Sequence, residues 1–191
     1  MKIGLYFGSF NPVHVGHMII ANYMLAFAEL DRLWFIVSPH NPLKTKSSLL
    51  ADHHRLELVH RAIGDNNKMK ASNIEFKLPQ PSYTIHTLAY LSEKFPNDRF
   101  ALIMGSDNLS TLHKWKNYEE ILKQYEVLVY PRPESDGGPL KAHPHVKMVN
   151  APLVDISSTF IREAVKNKKD VRYYLPHEAW EYMREMHFYE K

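Results

Sequence analysis

Residues 8–17 read Gly-Ser-Phe-Asn-Pro-Val-His-Val-Gly-His and follow directly on the apolar run Ile-Gly-Leu-Tyr-Phe at 3–7. A plain turn needs far less than two glycines, a proline and two histidines. The composition suits anion binding. Gly8 removes a side chain where a ligand could approach the backbone. Pro12 stiffens the turn. Gly16 lets the next helix begin close to a ligand, and a helix start offers unpaired N–H groups and partial positive charge. His14 and His17 are three apart, so both rings can face one anion at that helix start. The pattern is neither G-x-G-x-x-G nor G-K-[S/T], so the dinucleotide fingerprint and the common phosphate loop both fail. A zinc reading lacks a third ligand nearby and the H-E-x-x-H pattern.

A second cluster, Ile-Ser-Ser-Thr-Phe-Ile-Arg, occupies 156–162. Ser157 suits the N-cap of a helix carrying Ser158, Thr159 and Arg162. A helix start plus an always-charged, two-pronged guanidinium makes another anion site.

These clusters need a scaffold. The apolar runs at 3–7, 33–37, 100–104 and 126–130 are continuous rather than alternating, as in strands buried on both faces. Weaker strand candidates lie at 72–76 and 146–150. Helical patterns cover 17–29, 53–63, 84–95, 158–167 and 177–187. Gly64 is placed to end the second of these, and Pro176 to open the last. Strands alternating with helices predict an α/β fold, a Rossmann-like doubly wound, mainly parallel sheet with helices on both faces. Ligands of such sheets bind outside the carboxyl ends of the strands, where residue 8 begins its loop. Segments 39–48 and 131–144 read as surface loops.

Composition narrows the classes. The chain has 191 residues and is 45% hydrophobic, enough for one domain with a sizeable core. Its helical C-terminal part spans about 156–191. It has 24 Lys+Arg against 21 Asp+Glu, with no basic block, so no nucleic-acid partner is expected. Without cysteine, disulfides, thiolate catalysis and cysteine metal clusters are excluded. The amino terminus is too short in apolar residues for a signal peptide, and no run approaches a membrane span. A cytoplasmic protein without a membrane partner is expected. The oligomeric state stays open, a homo-oligomer included.

The His-Val-Gly-His at 14–17 resembles the H-x-G-H signature of the nucleotidyltransferase superfamily, although class I aminoacyl-tRNA synthetases carry a similar motif. The 156–162 cluster resembles the I-S-S-T-x-I-R motif of nicotinate and nicotinamide mononucleotide adenylyltransferases. Ser-Tyr-Thr-Ile-His-Thr-Leu at 82–88, Gly-Ser-Asp-Asn-Leu at 105–109 and Trp115 match the bacterial nicotinate-type enzymes in kind and order. The resemblance therefore runs through the chain.

It implies adenylyl transfer from ATP to nicotinate mononucleotide, with Mg2+ arriving as the ATP complex. It implies His14, His17 and Arg162 as catalytic residues. It implies an ATP site of Gly8, Ser9, Phe10, His14, Gly16, His17, Gly105, Asp107, Ile156, Ser157, Ser158, Thr159 and Arg162. Gly105, Ser106 and Asp107 would lie by the adenosine. Asp107 could accept from a ribose hydroxyl, or cap a helix. The mononucleotide site would draw on Asn11, His40, Lys44, Tyr83, Thr84, Trp115 and Lys116. No dedicated metal ligands are expected, because the ion rests on phosphates and water.

The chemistry agrees with these residue types. The attacking phosphate oxygen is already anionic, so positioning and charge stabilisation are what the reaction lacks. The histidines can donate to phosphate oxygens, more strongly if protonated. Trp115 can stack on a nicotinate ring. The resemblance implies that backbone N–H groups of Thr84 and Lys116 bind its carboxylate. Such donors favour acid over amide, because a carboxylate accepts and cannot donate.

The chain departs from the family's common G-G-T-F-D-P and P-P-H-K. Here Ser9 and Asn11 stand in the first, and His-Asn-Pro-Leu-Lys replaces the second. Alternatives are the same chemistry on nicotinamide mononucleotide or phosphopantetheine, and a non-catalytic nucleotide-binding protein. An RNA-ligating synthetase is disfavoured by the short chain and the absence of a K-M-S-K-S-like loop.

Overall fold

The computed structural model describes residues 1–39 and 49–191. Six strands form one parallel sheet: β1 (Lys2–Gly8), β2 (Arg32–Val37), β3 (Met69–Ser72), β4 (Arg99–Gly105), β5 (Glu126–Tyr130) and β6 (Val146–Met148), in the order β3-β2-β1-β4-β5-β6. Sequence order reverses between β1 and β4, so a crevice opens there at the carboxyl ends. This is the doubly wound Rossmann-like arrangement expected.

The continuous apolar runs have a direct physical cause. Side chains alternate faces along a strand, and here both faces are covered. Ala101 and Ile103 of β4 join one core, while Phe100, Leu102 and Met104 join the other. The first core is completed by α1 (Val15–Phe27), α2 (Asp52–Ile63), α6 (Ser158–Lys166) and α7 (His177–Glu185). The second is completed by α3 (Thr84–Lys94), α4 (Ser106–Thr111) and α5 (Tyr118–Gln124).

Some expectations need correction. The stretch 72–76 is not a strand: Ser72 ends β3 and Ile74–Lys77 form a 3-10 turn. That turn drives Glu75 inward, where its carboxylate accepts from Thr87 Oγ1 at 2.7 Å. Burial raises the Glu75 pKa, with hydrogen bonds from Ser38, Thr87 and Ser82 opposing the rise. Helix α1 begins at Val15, two residues earlier than the apolar pattern suggests, because His14 is its N-cap. Helices α4 and α5 were hidden by their brevity. Gly64 does end α2, at φ 60 but ψ −130, outside the left-handed helical well.

Candidate active site

Two remote segments meet at the crevice. Ser157 caps α6 as expected, its Oγ accepting from the Phe160 N–H at 3.1 Å. That fixes the first turn of α6 against the loop after β1. Ser158 Oγ donates to the Pro12 carbonyl at 2.8 Å. Arg162 Nη1 donates to the Asn11 carbonyl at 2.7 Å, and Nη2 to Thr159 Oγ1 at 3.2 Å. Both ties between segments span about 150 residues.

Around them lies a cavity of about 340 Å³. Its wall includes Gly8, Ser9, Phe10, Asn11, His14, Gly16 and His17 from the first loop, Asp107 from α4, and Ile156, Ser157, Ser158, Thr159 and Arg162. Gly105 lies just behind, against Asp107 and Arg132, where a Cβ would clash with both.

The histidines are held in a defined state. Their rings stack, centroids 3.7 Å apart. His17 Nδ1 accepts the His14 backbone N–H at 3.2 Å, which places the neutral ring's proton on Nε2. His14 is buried, and its Nδ1 has no hydrogen-bond partner among the described residues. Burial, then the Arg132 charge, lowers its pKa to about 4. His14 is therefore neutral near pH 7. Of the two donor states the sequence allowed, His14 rests in the uncharged one.

The two cavity-lining glycines have a further role inside the protein. A Cβ on Gly8 would meet the Phe10 ring at 2.9 Å. A Cβ on Gly16 would meet Val154 Cγ1 at 2.9 Å and His14 Nδ1 at 3.0 Å. Both make room for protein side chains rather than only for ligand. Phe10 occupies the left-handed region at φ 45 and is buried, so the loop carries local strain.

Among the cavity residues that escaped the sequence reading, Arg132, Tyr6 and Tyr130 carry polar groups tied into the fold. Arg132 follows β5 inside the stretch read only as a loop, and Ser106 fixes it. The Arg132 N–H donates to Ser106 Oγ at 2.9 Å, and that hydroxyl donates to the Ser135 carbonyl at 2.9 Å. Tyr6 donates to the Tyr130 hydroxyl at 3.2 Å, which leaves the Tyr130 proton to serve another acceptor. A signal existed: Tyr130 and Arg132 stand at a strand's carboxyl end, as the first loop does. Arg55 had no comparable signal. It is fully buried on α2 and donates to the carbonyls of Ser9 (2.6 Å), Ser38 (2.9 Å) and Leu50 (2.9 Å), and to Asp52 (2.5 Å). A buried charge needs such a full set of partners.

Tyr83, Thr84, Trp115 and Lys116 do not line this cavity. They form a second group. Tyr83 is the N-cap of α3, so Thr84 begins a helix whose first N–H groups lack intrahelical partners. Lys116 Nζ lies 4.6 Å from the Tyr83 ring centre, joining the two segments. Tyr83 and Trp115 pack on the second core, as does Phe7, which also lines the cavity. His40 and Lys44 lie outside the described residues.

The comparisons agree with this geometry. A cytidylyltransferase-like family model matches residues 5–164. A probable nicotinate-nucleotide adenylyltransferase of Flavobacterium johnsoniae is 56% identical, with 100% of both chains covered. One from Christiangramia forsetii is 52% identical over 98% of both chains. The solved Plasmodium falciparum nicotinic acid mononucleotide adenylyltransferase complexed with NaAD shares the fold, with TM-score 0.83 at 20% identity, covering 99% of this chain and 97% of that one. A putative nicotinate-nucleotide adenylyltransferase from Vibrio parahaemolyticus gives TM-score 0.75 at 21% identity, covering 100% and 96%. On the model match and the full-length identity, this chain belongs to the cytidylyltransferase-like family and, among its members, to the nicotinate-nucleotide adenylyltransferases.

Proposed function

We infer that this protein transfers the adenylyl group of ATP to nicotinate mononucleotide, giving nicotinate adenine dinucleotide and pyrophosphate. The observation that carries this reading is the junction of the 8–17 loop with α6 through Ser158–Pro12 and Arg162–Asn11. It gathers His14, His17 and Arg162 on one cavity.

A phosphate oxygen of the mononucleotide forms a bond to the α-phosphorus of ATP. The bond from that phosphorus to the bridging oxygen breaks, and pyrophosphate departs with the electron pair. No proton need be removed from the nucleophile. The barrier lies in bringing two anions together and in the charge gathering on the leaving group. In this reading Arg162 and Arg132 supply fixed positive charge, and the two imidazoles donate hydrogen bonds to phosphate oxygens. His14 becomes a better donor as nucleotide enters, because a nearby anion raises its pKa.

We assign Mg2+ to the nucleotide. The cavity's described wall has one carboxylate, Asp107, and no group of three or more acidic or histidine side chains among the described residues could hold an ion. Phosphate oxygens and water fit as its ligands. Asp107 is assigned to the adenosine ribose.

The acceptor end is assigned to Tyr83, Thr84, Trp115 and Lys116, beyond Phe7. The N–H groups at the start of α3 favour a carboxylate over an amide. We assign the enzyme to the cytoplasm, a compartment that supplies ATP.

The test is a competition assay with ATP, Mg2+ and each acceptor in turn: nicotinate mononucleotide, nicotinamide mononucleotide and phosphopantetheine. The acid should be preferred. A preference for the amide by more than about tenfold, or ~1.4 kcal/mol, would overturn the acid assignment.

A further inference from the structure

The last residues of the chain do not fray. After α7 the backbone reverses through His187 at φ 53, and the Phe188 N–H returns to the Met183 carbonyl at 3.1 Å. Phe188 is buried against His54 and Tyr182, with ring centres 4.7 and 5.6 Å away. Tyr189 then takes φ 66, a second non-glycine residue in the left-handed region within three positions. Such backbone is costly and persists where the surroundings enforce it. What it achieves is the direction of one hydroxyl: Tyr189 donates to Asn11 Oδ1 at 2.7 Å.

That contact falls on the residue that anchors Arg162. The Asn11 side chain is buried, and its Oδ1 also accepts the Leu50 N–H at 3.1 Å. The Asn11 carbonyl is the acceptor that holds Arg162 Nη1. Both Arg162 and Arg55 act electrostatically on the Tyr189 hydroxyl. Burial outweighs them and holds it protonated, which keeps it a donor.

We propose that Tyr189 is a positioning residue of the phosphate site, its hydroxyl holding Asn11 so that the Asn11 carbonyl can orient Arg162. This deepens the adenylyl-transfer reading and rests on it. The C-terminal turn is then part of the active-site assembly. Its strained residues maintain the aim of the Arg162 guanidinium through Asn11. The hydroxyl acts only through Asn11 and Arg162, so its effect should vanish once Arg162 is weakened.

Tyr189→Phe removes the hydroxyl and keeps the ring. It is compared with Arg162→Lys and the double variant in the full chain. Three measurements are made: steady-state turnover, binding of an ATP analogue with a methylene between the α and β phosphorus atoms, and thermal unfolding. Tyr189→Phe should lower kcat about tenfold, the loss of one hydrogen bond's orientation. It should weaken analogue binding several-fold while the acceptor KM and the melting temperature change little. The double variant should be no worse than Arg162→Lys, within about twofold. Wild-type-like values for Tyr189→Phe, multiplicative losses in the double variant, or losses that merely track a lower melting temperature would each overturn the proposal. Analogue binding reports the coupling even if wild-type protein turns over no nicotinate mononucleotide. The failure of the functional reading is thereby separable from the failure of this one.

Discussion

The phosphate half and the acceptor half of this site are built in opposite ways. The phosphate half is assembled by the fold itself. Arg162, Ser158, His17 and Arg132 each have a partner within the protein before any nucleotide arrives. The acceptor half is a looser meeting of the start of α3 with the segment before α5. There the contact between Tyr83 and Lys116 is a cation over a ring. Such a contact is worth about 1 kcal/mol when exposed. Preorganised donors lower a barrier because they need no rearrangement when charge develops. A half-buried Trp and a helix start can adapt to a ring and read its substituent. Rate should therefore respond to changes in the first half, and choice of acceptor to changes in the second.

The harshest way to break that division is His17→Ala. It removes an Nε2 donor and the acceptor for the His14 N–H together. Turnover should fall by about 10²–10³-fold, the usual cost of a lost charge-stabilising donor. Pyrophosphate release measures the loss, and circular dichroism should show the fold intact. Normal pyrophosphate release would remove His17 from the mechanism.

Acid should expose the phosphate half next. The His14 pKa is lowered to about 4 from 6.5. The unfolded chain therefore takes a proton near 6.5 that the folded chain refuses until about 4. The stabilisation is complete above pH 6.5 and is lost as pH falls toward 4. It amounts to about 3 kcal/mol at most. Urea unfolding of wild type and His14→Asn between pH 7 and 4.5 reads it. The wild type should lose more stability than the variant as pH falls. Parallel curves would mean that His14 is not kept neutral by the fold. The comparison with the variant matters because Glu75, whose pKa is raised, contributes with the opposite sign.

How much of this division was legible beforehand follows from the range of each interaction. Both phosphate motifs were readable because their chemistry is carried by adjacent residues: a cap and an Arg on one helix, two His at one helix start. The four main strands were readable because burial on both faces leaves no polar position. Arg55 and Tyr6 were not readable. Their roles depend on strand order and on carbonyls contributed by other segments, and a linear pattern encodes neither. Glu75 was misread as a strand residue for a related reason. Isolated from its partners it looks like the polar position of an alternating run, yet its hydroxyl donor Thr87 lies on α3. Gly8 was recognised as special, but the sequence did not show that the Phe10 ring also needs the space it leaves. The tail was equally opaque: Tyr189 meets Asn11 across 178 residues.

The acceptor half is tested by Trp115→Ala. Stacking of a ring on an aromatic side chain is worth about 1–3 kcal/mol by alanine substitution. The KM for nicotinate mononucleotide should rise by about tenfold or somewhat more, while the KM for ATP stays nearly constant. Initial rates with each substrate varied in turn measure both. A rise confined to ATP would place the nucleobase, not the nicotinate, on this side.

The gentlest probe is Ser157→Ala. Its hydroxyl caps α6 and is held by the Phe160 N–H, not by either segment of the acceptor half. Losing a cap of this kind costs about 1 kcal/mol of stability. The urea midpoint should shift by a corresponding amount. Arg162 projects from the same helix, so kcat should fall modestly as the first turn loosens. The acceptor KM should not move, because Tyr83 and Trp115 rest on the other face of the sheet. An acceptor KM that rose in step with the lost stability would show that the two halves are one cooperative unit. Rate and acceptor choice could then not be assigned to them separately.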